Sequence, residues 1–329
     1  MEFQRQLIQR LRSSISPKIN LAEELADFLD ISADSAYRRL RCETAFTIDE
    51  AIAISDHYNL PDIMGGSLNA KTVSFRMNPL SNNENSFSDY LRVLFQDIKW
   101  IRQKENPTIN YAAEDIPIFY HFFFPALARF KMMYWNKSIL GNELFQNSTF
   151  EDIKMPSTWR EEIPHLQKIY LETNANEIWH IDSIKSTLKQ IEFYYQAQYF
   201  QNRESVMEIL DQLEELVNWV KKMADTGLRF NISNGQQLSS EINYFISDVM
   251  IGTNSVLIKN VENSAAYISY NTFNFIQTQN HEFNDSTQKW INQLMAQSTL
   301  ISKVSEAKRN VFISSLKNQI NKLRISINS

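Results

Sequence analysis

Residues Leu21 to Leu60, LAEELADFLDISADSAYRRLRCETAFTIDEAIAISDHYNL, restrict the fold more tightly than any other stretch of the chain. Leu21, Leu25, Ala26 and Leu29 recur at the spacing that lines one face of a helix, and Asn20 stands ready to cap it. Asp30-Ile31-Ser32 interrupts the pattern, with Ile31 plugging the turn and Ser32 capping a second helix that runs to about Arg41. Ala36 and Leu40, four apart, form its inner face. Thr47 followed by Glu50 is a capping box that opens a further helix, with Ile48, Ala51, Ile52, Ala53 and Ile54 available for packing and Pro61 as its stop. Phe3, Leu7, Ile8 and Leu11 place an opening helix at about residues 2–13, interrupted by Ser16-Pro17. Helices joined by so short a turn must cross steeply, and Ala26 is small enough for the point where they nearly touch. A four-helix domain over residues 1–62 follows.

Beyond it, the scarcity of turn residues governs the expectation. Six glycines and eight prolines in 329 residues leave little hairpin punctuation, which favours long helices with short connections. Met64-Gly65-Gly66-Ser67 and Pro79-Leu80-Ser81-Asn82-Asn83 read as loop, with a short extended piece at Lys71–Met77, so residues 63–85 are taken as a linker. Helical spacing then places helices at about 86–104, 117–139, 157–172, 177–200 and 203–225, and two more at 286–297 and 305–325. Residues 242–270 fit either a small antiparallel meander or a helix over 238–250 followed by one hairpin. The second is preferred because Leu238, Ile242, Phe245 and Val249 also keep helical spacing. The expected fold is therefore mainly α. It has an N-terminal four-helix domain containing a helix-turn-helix, and a larger helical domain over 86–329 with a small β-hairpin or meander.

A chain that is 43% hydrophobic and 12% aromatic can bury substantial cores. Its single cysteine, Cys42, excludes an internal disulfide framework and fits a reducing cytoplasm. The N-terminus lacks the apolar run of a signal peptide, and the most apolar window, residues 116–135, is broken by Pro117, His121, Pro125, Arg129 and Lys131, so no membrane span is expected. The five histidines stand singly, without metal-ligand spacing, and there is neither a glycine-rich phosphate loop nor a nucleophile elbow. No catalytic role, metal or cofactor is expected.

The net charge of −5 argues against coating DNA by charge alone, and residues 1–60 carry seven Lys/Arg against ten Asp/Glu. The basic residues are instead gathered on one short helix as Arg38, Arg39 and Arg41. A short arginine-tipped helix set steeply across another is how small domains enter the major groove. With Ala36 and Leu40 inward, Ala33, Asp34, Tyr37, Arg38 and Arg41 point outward. The layout resembles the helix-turn-helix of phage-repressor-like regulators, the Xre family, over residues 1–62. The string Ser35-Ala36-Tyr37-Arg38-Arg39-Leu40-Arg41-Cys42-Glu43 is similar to the second helix of such domains in Bacteroidetes-type proteins. That resemblance implies that Ala33, Asp34, Tyr37 and Arg38 touch bases, with Arg38 bonding O6 and N7 of guanine, while Ser32 and Arg41 hold phosphates. Arg39 points sideways toward Glu43 or Asp34.

It implies, further, a cytoplasmic sequence-specific regulator binding double-stranded DNA as a homodimer, with residues 86–329 serving dimerisation, partner contacts or the sensing of an effector. Two positions usually filled by glycine depart from the pattern. Asp30 tolerates a left-handed backbone, whereas Cys42 would be strained there, so the helix is expected to end with another geometry. These departures and the acidic balance keep an alternative open: a helical interaction scaffold whose N-terminal domain binds protein. In the aromatic run from Tyr111 to Pro125, Phe119, Tyr120, Phe123 and Phe124 at helical spacing read first as core, and otherwise as an interface or ligand pocket. The Val206–Val220 stripe, at about two heptads, is better suited to packing within the chain than to a coiled coil.

Overall fold

The computed structural model describes residues 2–15, 20–58, 60, 73–77, 107–261, 263–271 and 274–329. The expected helix at 86–104, nearly all of the linker at 63–85, and the breaks at Ser16-Pro17 and Pro61 lie outside the described residues. The chain divides into two compact units, residues 1–76 with 278–283, and residues 77–277 with 284–329.

The first unit contains α1 (Glu2–Ser14), α2 (Leu21–Leu29), α3 (Ala33–Leu40) and α4 (Ile48–His57). Leu7, Leu11, Ala22, Leu25, Ala36 and Ile54 form the centre of its core, with Ile31 and Leu40 packed against them. Asn20 caps α2 by accepting from the Ala22 amide, and the capping box of Thr47 and Glu50 opens α4. Ile48 and Ile52 face outward instead of packing, because only Ala51 and Ile54 fall on the inner stripe of α4.

The second unit is built on a sheet, and this overturns the expectation of a mainly α fold with a small hairpin or meander. Its strands are β2 (Thr108–Ala112), β3 (Asn174–His180), β4 (Leu228–Phe230), β5 (Gln237–Ser247), β6 (Ser255–Lys259), β7 (Ser264–Tyr270), β8 (Asn274–Thr278) and β9 (Thr299–Leu300); β1 (Arg76–Met77), at the unit boundary, completes a nine-stranded sheet. Across the second unit the order is β8-β7-β6-β2-β3-β5-β4, with β9 also on β5. β2, β3 and β5 are mutually parallel, while β6 on β2, β7 on β6, and β4 and β9 on β5 are antiparallel. Asn110, Asn176 and Asn243 stand in register across the parallel strands, the Asn176 amide donating to Asn110 Oδ1 at 2.8 Å and the Asn243 amide to Asn176 Oδ1 at 3.0 Å.

The helices are α5 (Ile118–His121), α6 (Pro125–Tyr134), α7 (Glu143–Gln146), α8 (Ser157–Leu171), α9 (Lys185–Gln196), α10 (Arg203–Thr226), α11 (His281–Ala296) and α12 (Glu306–Asn328). The expected helix at 117–139 is split. Pro125 starts α6 afresh after a turn at Phe122–Phe124, and residues Trp135–Ile139 wind as a π-helix. The expected helix at 177–200 gives its first residues to β3, and the preferred helix at 238–250 is β5. In β5, Ser240, Ile242 and Tyr244 are buried in alternation, a period of two that the helical reading of Leu238, Ile242, Phe245 and Val249 concealed. α10 buries Val206, Ile209, Leu213, Leu216, Val217 and Val220 against the rest of its own unit, including α12. Gly227 ends α10 in the left-handed region, its amide donating to the Met223 carbonyl at 2.7 Å.

A sealed polar cluster lies at the centre of this unit. Glu177 on β3 is completely buried and accepts hydrogen bonds from Tyr120 at 3.0 Å, Tyr170 at 2.5 Å and the Trp179 indole at 3.0 Å. Arg229, also fully buried, stands 3.7 Å from the same carboxylate with its guanidinium 4.3 Å from the centre of the Tyr170 ring. Burial first, and the charge of Glu177 second, hold the hydroxyls of Tyr120, Tyr170 and Tyr244 well above the ordinary tyrosine range, so they stay protonated. Phe119, Tyr120, Phe123 and Phe124 all belong to this core. Their burial leaves no surface for the interface given as an alternative.

Candidate nucleic-acid interface

α2 and α3 are joined through Asp30, which adopts the left-handed region at φ 53° and ψ 48°, and the Ile31 amide returns to the Ala26 carbonyl at 3.0 Å. The short polar side chain of aspartate tolerates the left-handed region, so this turn is accessible without glycine. Ser32 then caps α3 by accepting from the Ser35 amide at 3.2 Å.

The far end of α3 corrects the sequence expectation. Cys42 is left-handed, at φ 60°. Its amide donates to the Arg39 carbonyl at 3.0 Å and the Glu43 amide to the Arg38 carbonyl at 2.9 Å, the paired bonds of a Schellman motif with cysteine in place of glycine. Satisfying two helix-end carbonyls outweighs a strain of about 1–2 kcal/mol.

Gln4 holds this end in place from α1. Its buried side-chain amide donates to the carbonyls of Arg39 and Thr44, both at 2.8 Å, and accepts from the Phe46 amide at 3.3 Å. Arg39 turns toward α4, with Nε on one oxygen of Glu50 at 3.2 Å and Nη2 on the other at 2.9 Å. Its partner is therefore Glu50, not Glu43 or Asp34. Burial would raise the Glu50 carboxyl, but hydrogen bonds from Arg39 and Thr47 hold it below the usual carboxylate range.

Arg38 and Arg41 differ from Arg39. Their side chains are 57% and 62% exposed and approach the exposed Glu43 at 3.9 and 3.4 Å, and the Arg41 guanidinium also stands 6.0 Å from the centre of the Tyr37 ring. Ser32, Ala33, Asp34 and Tyr37 are exposed as well, with the Tyr37 hydroxyl near Asn20 at 3.4 Å. All six residues assigned to DNA contact thus share the solvent side of α3 or its cap, while Ala36 is fully buried beneath them.

Among the described residues, no group of three His, Cys, Asp or Glu side chains could hold a metal ion, and no helix is long and apolar enough to cross a membrane. Sequence reasoning missed Gln4, whose role depends on a loop some forty residues away. It also set aside His121 as a scattered histidine, whereas the structure gathers it with Glu114, Asp115, Lys131 and Gln190 around a cleft. Compared with protein-family models, curated proteins and solved structures, the chain matches none.

Proposed function

We propose that this protein is a cytoplasmic, sequence-specific regulator of transcription that reads double-stranded DNA with α3 in the major groove. The observation that carries the reading is the division of labour among three neighbouring arginines. Arg39 is fastened to Glu50 and holds the fold, while Arg38 and Arg41 project from the outer face under only loose restraint from Glu43. An exposed pair of this kind contributes roughly 0–1 kcal/mol, so either guanidinium can leave Glu43 for a base edge or a phosphate. Arg38 then bonds O6 and N7 of guanine, and Ala33, Asp34 and Tyr37 make the neighbouring base contacts. Ser32 at the start of α3 and Arg41 at its end hold backbone phosphates and set the register.

One such domain covers few base pairs, so the reading includes a homodimer on inverted half-sites about 34 Å apart. Because the first 60 residues are acidic overall, non-specific affinity is low and falls steeply with salt.

The test is selection of duplexes from a random pool, followed by fluorescence anisotropy at several salt concentrations. Arg38→Ala is expected to erase the preference for the selected sequence. Arg41→Ala is expected to weaken all duplexes alike and to lower the salt slope by about one. Unchanged binding in both variants, or no duplex enriched by the wild type, overturns the assignment.

A further inference from the structure

The second unit carries a polar constellation that DNA reading does not use. At the C-terminal end of β2, the loop at residues 113–117 opens into a cleft of about 340 Å³ bounded by α5, α6, α9 and the connection from β5 to β6. Space beyond the carboxyl ends of parallel strands is where open α/β sheets receive ligands.

Two of its charged groups satisfy each other. Lys131, nearly completely buried, places Nζ 3.5 Å from the Asp115 carboxylate and donates to Gln190 Oε1 at 2.9 Å. Asp115 also accepts from the Ile116 amide at 2.7 Å and lies 3.3 Å from the Thr187 hydroxyl.

Two others remain unmatched. His121 is 3% exposed, and its Nδ1 lies 3.3 Å from the carbonyl oxygen of Ile118. A carbonyl only accepts, so Nδ1 carries the proton. Burial, followed by the nearby charge of Lys131, keeps the ring neutral by holding its pKa well below the ordinary histidine value. Nε2 is consequently a bare lone pair, buried and without a hydrogen-bond partner. Glu114 lines the same cleft, and its carboxylate has no ion pair or hydrogen bond among the described residues. Partial desolvation at the rim of the cleft, with the charge of Asp115 adding, raises its pKa. Since Lys131 balances Asp115, the lining keeps one uncompensated carboxylate and one unfilled acceptor. Beside them stands Trp135, whose ring meets His121 edge-on with centroids 6.2 Å apart.

We propose that this cleft binds a small organic cation with a primary ammonium group, its N–H donors serving Glu114 and His121 Nε2 and its hydrocarbon part lying against Trp135. An anion meets the uncompensated Glu114 carboxylate there, and a neutral apolar molecule leaves both acceptors unsatisfied. An ammonium matches both, and its hydrocarbon part gains from contact with the indole of Trp135. The proposal does not rest on DNA binding by α3.

Isothermal titration of the full chain at neutral pH, with tyramine and cadaverine against the uncharged 4-ethylphenol and 1-pentanol, tests it. The expected result is saturable binding of at least one amine, tenfold or more tighter than its uncharged counterpart. Glu114→Gln should weaken that amine at least tenfold, and His121→Phe should weaken it as well. Glu114 is exposed, so its variant keeps the test decisive even if His121→Phe fails to fold. No amine binding, equal binding of the uncharged counterparts, or an unaltered affinity in Glu114→Gln overturns the proposal.

Discussion

Arg38 and Arg229 are the same side chain in opposite surroundings. Arg38 extends into solvent with a carboxylate 3.9 Å away, and Arg229 is sealed in the second unit with a carboxylate 3.7 Å away. The distances barely differ, so distance does not set their roles. In water the pair is screened and both partners keep their hydration, whereas in the core each charge depends on the other and on the tyrosine hydroxyls around them. One arginine is available for a partner and the other is committed to the fold.

The sharpest way to break this contrast is to remove one buried charge. Glu177→Gln leaves Arg229 unpaired in the core and is expected to cost about 3–5 kcal/mol of the second unit's stability, read from urea unfolding. Adding Arg229→Met should recover much of that loss, since the double variant buries no lone charge. A cost for Glu177→Gln below about 1 kcal/mol would mean that the cluster is not what holds this core together.

Gln4→Ala comes next. It removes three hydrogen bonds, leaving the Thr44 carbonyl and the Phe46 amide without the Gln4 side chain while the Arg39 carbonyl keeps the Cys42 amide, for an expected loss of about 2 kcal/mol in the first unit.

Arg39→Ala is expected to cost about 1–2 kcal/mol by the same unfolding assay, because its bidentate pair with Glu50 joins α3 to α4. Glu50 also gives this contact a pH signature. Its folded pKa is depressed, so the stabilisation is fully present above the unfolded carboxylate pKa and is lost as pH falls through the lower folded value. Wild-type and Arg39→Ala stabilities should therefore converge on acidification below the ordinary carboxylate range. Curves that stay parallel would contradict that linkage.

Cys42→Gly should stabilise the first unit by about 0.5–1 kcal/mol, because glycine takes the left-handed region without strain. The smallest effect on folding belongs to Glu43→Gln, within about 0.5 kcal/mol. It releases Arg38 and Arg41 together, so on the proposed reading it strengthens duplex binding while leaving the melting temperature in place. A melting shift of several degrees would show that Glu43 is structural.

The two units were unequally legible. In the first, capping residues and apolar spacing act within a few positions of each other, so Asn20, Ser32 and Thr47 mark helix starts that the structure places beside them. In the second, β2 and β3 are short and buried through most of their length, so neither shows the alternation that separates a strand from a helix. The scarcity of glycine also misled. Tight turns of the sheet contain Asn260, Asn263 and Asn271 as well as Gly235, and the parallel strands β2, β3 and β5 are linked through whole helices, which need no hairpin. The cleft was illegible for a different reason: Glu114, His121, Lys131 and Gln190 come together only when β2, α5, α6 and α9 take their places.

By itself the sequence determined the local order of the first unit, including which face of α3 turns inward, because Ala36 and Leu40 leave no other stripe to bury. Tertiary structure alone decided that Arg39 serves Glu50, that Cys42 accepts a glycine's conformation, and that residues 238–247 form a strand. Each outcome depends on a partner distant along the chain or on hydrogen bonds completed around it, and such energies leave no mark in local residue spacing.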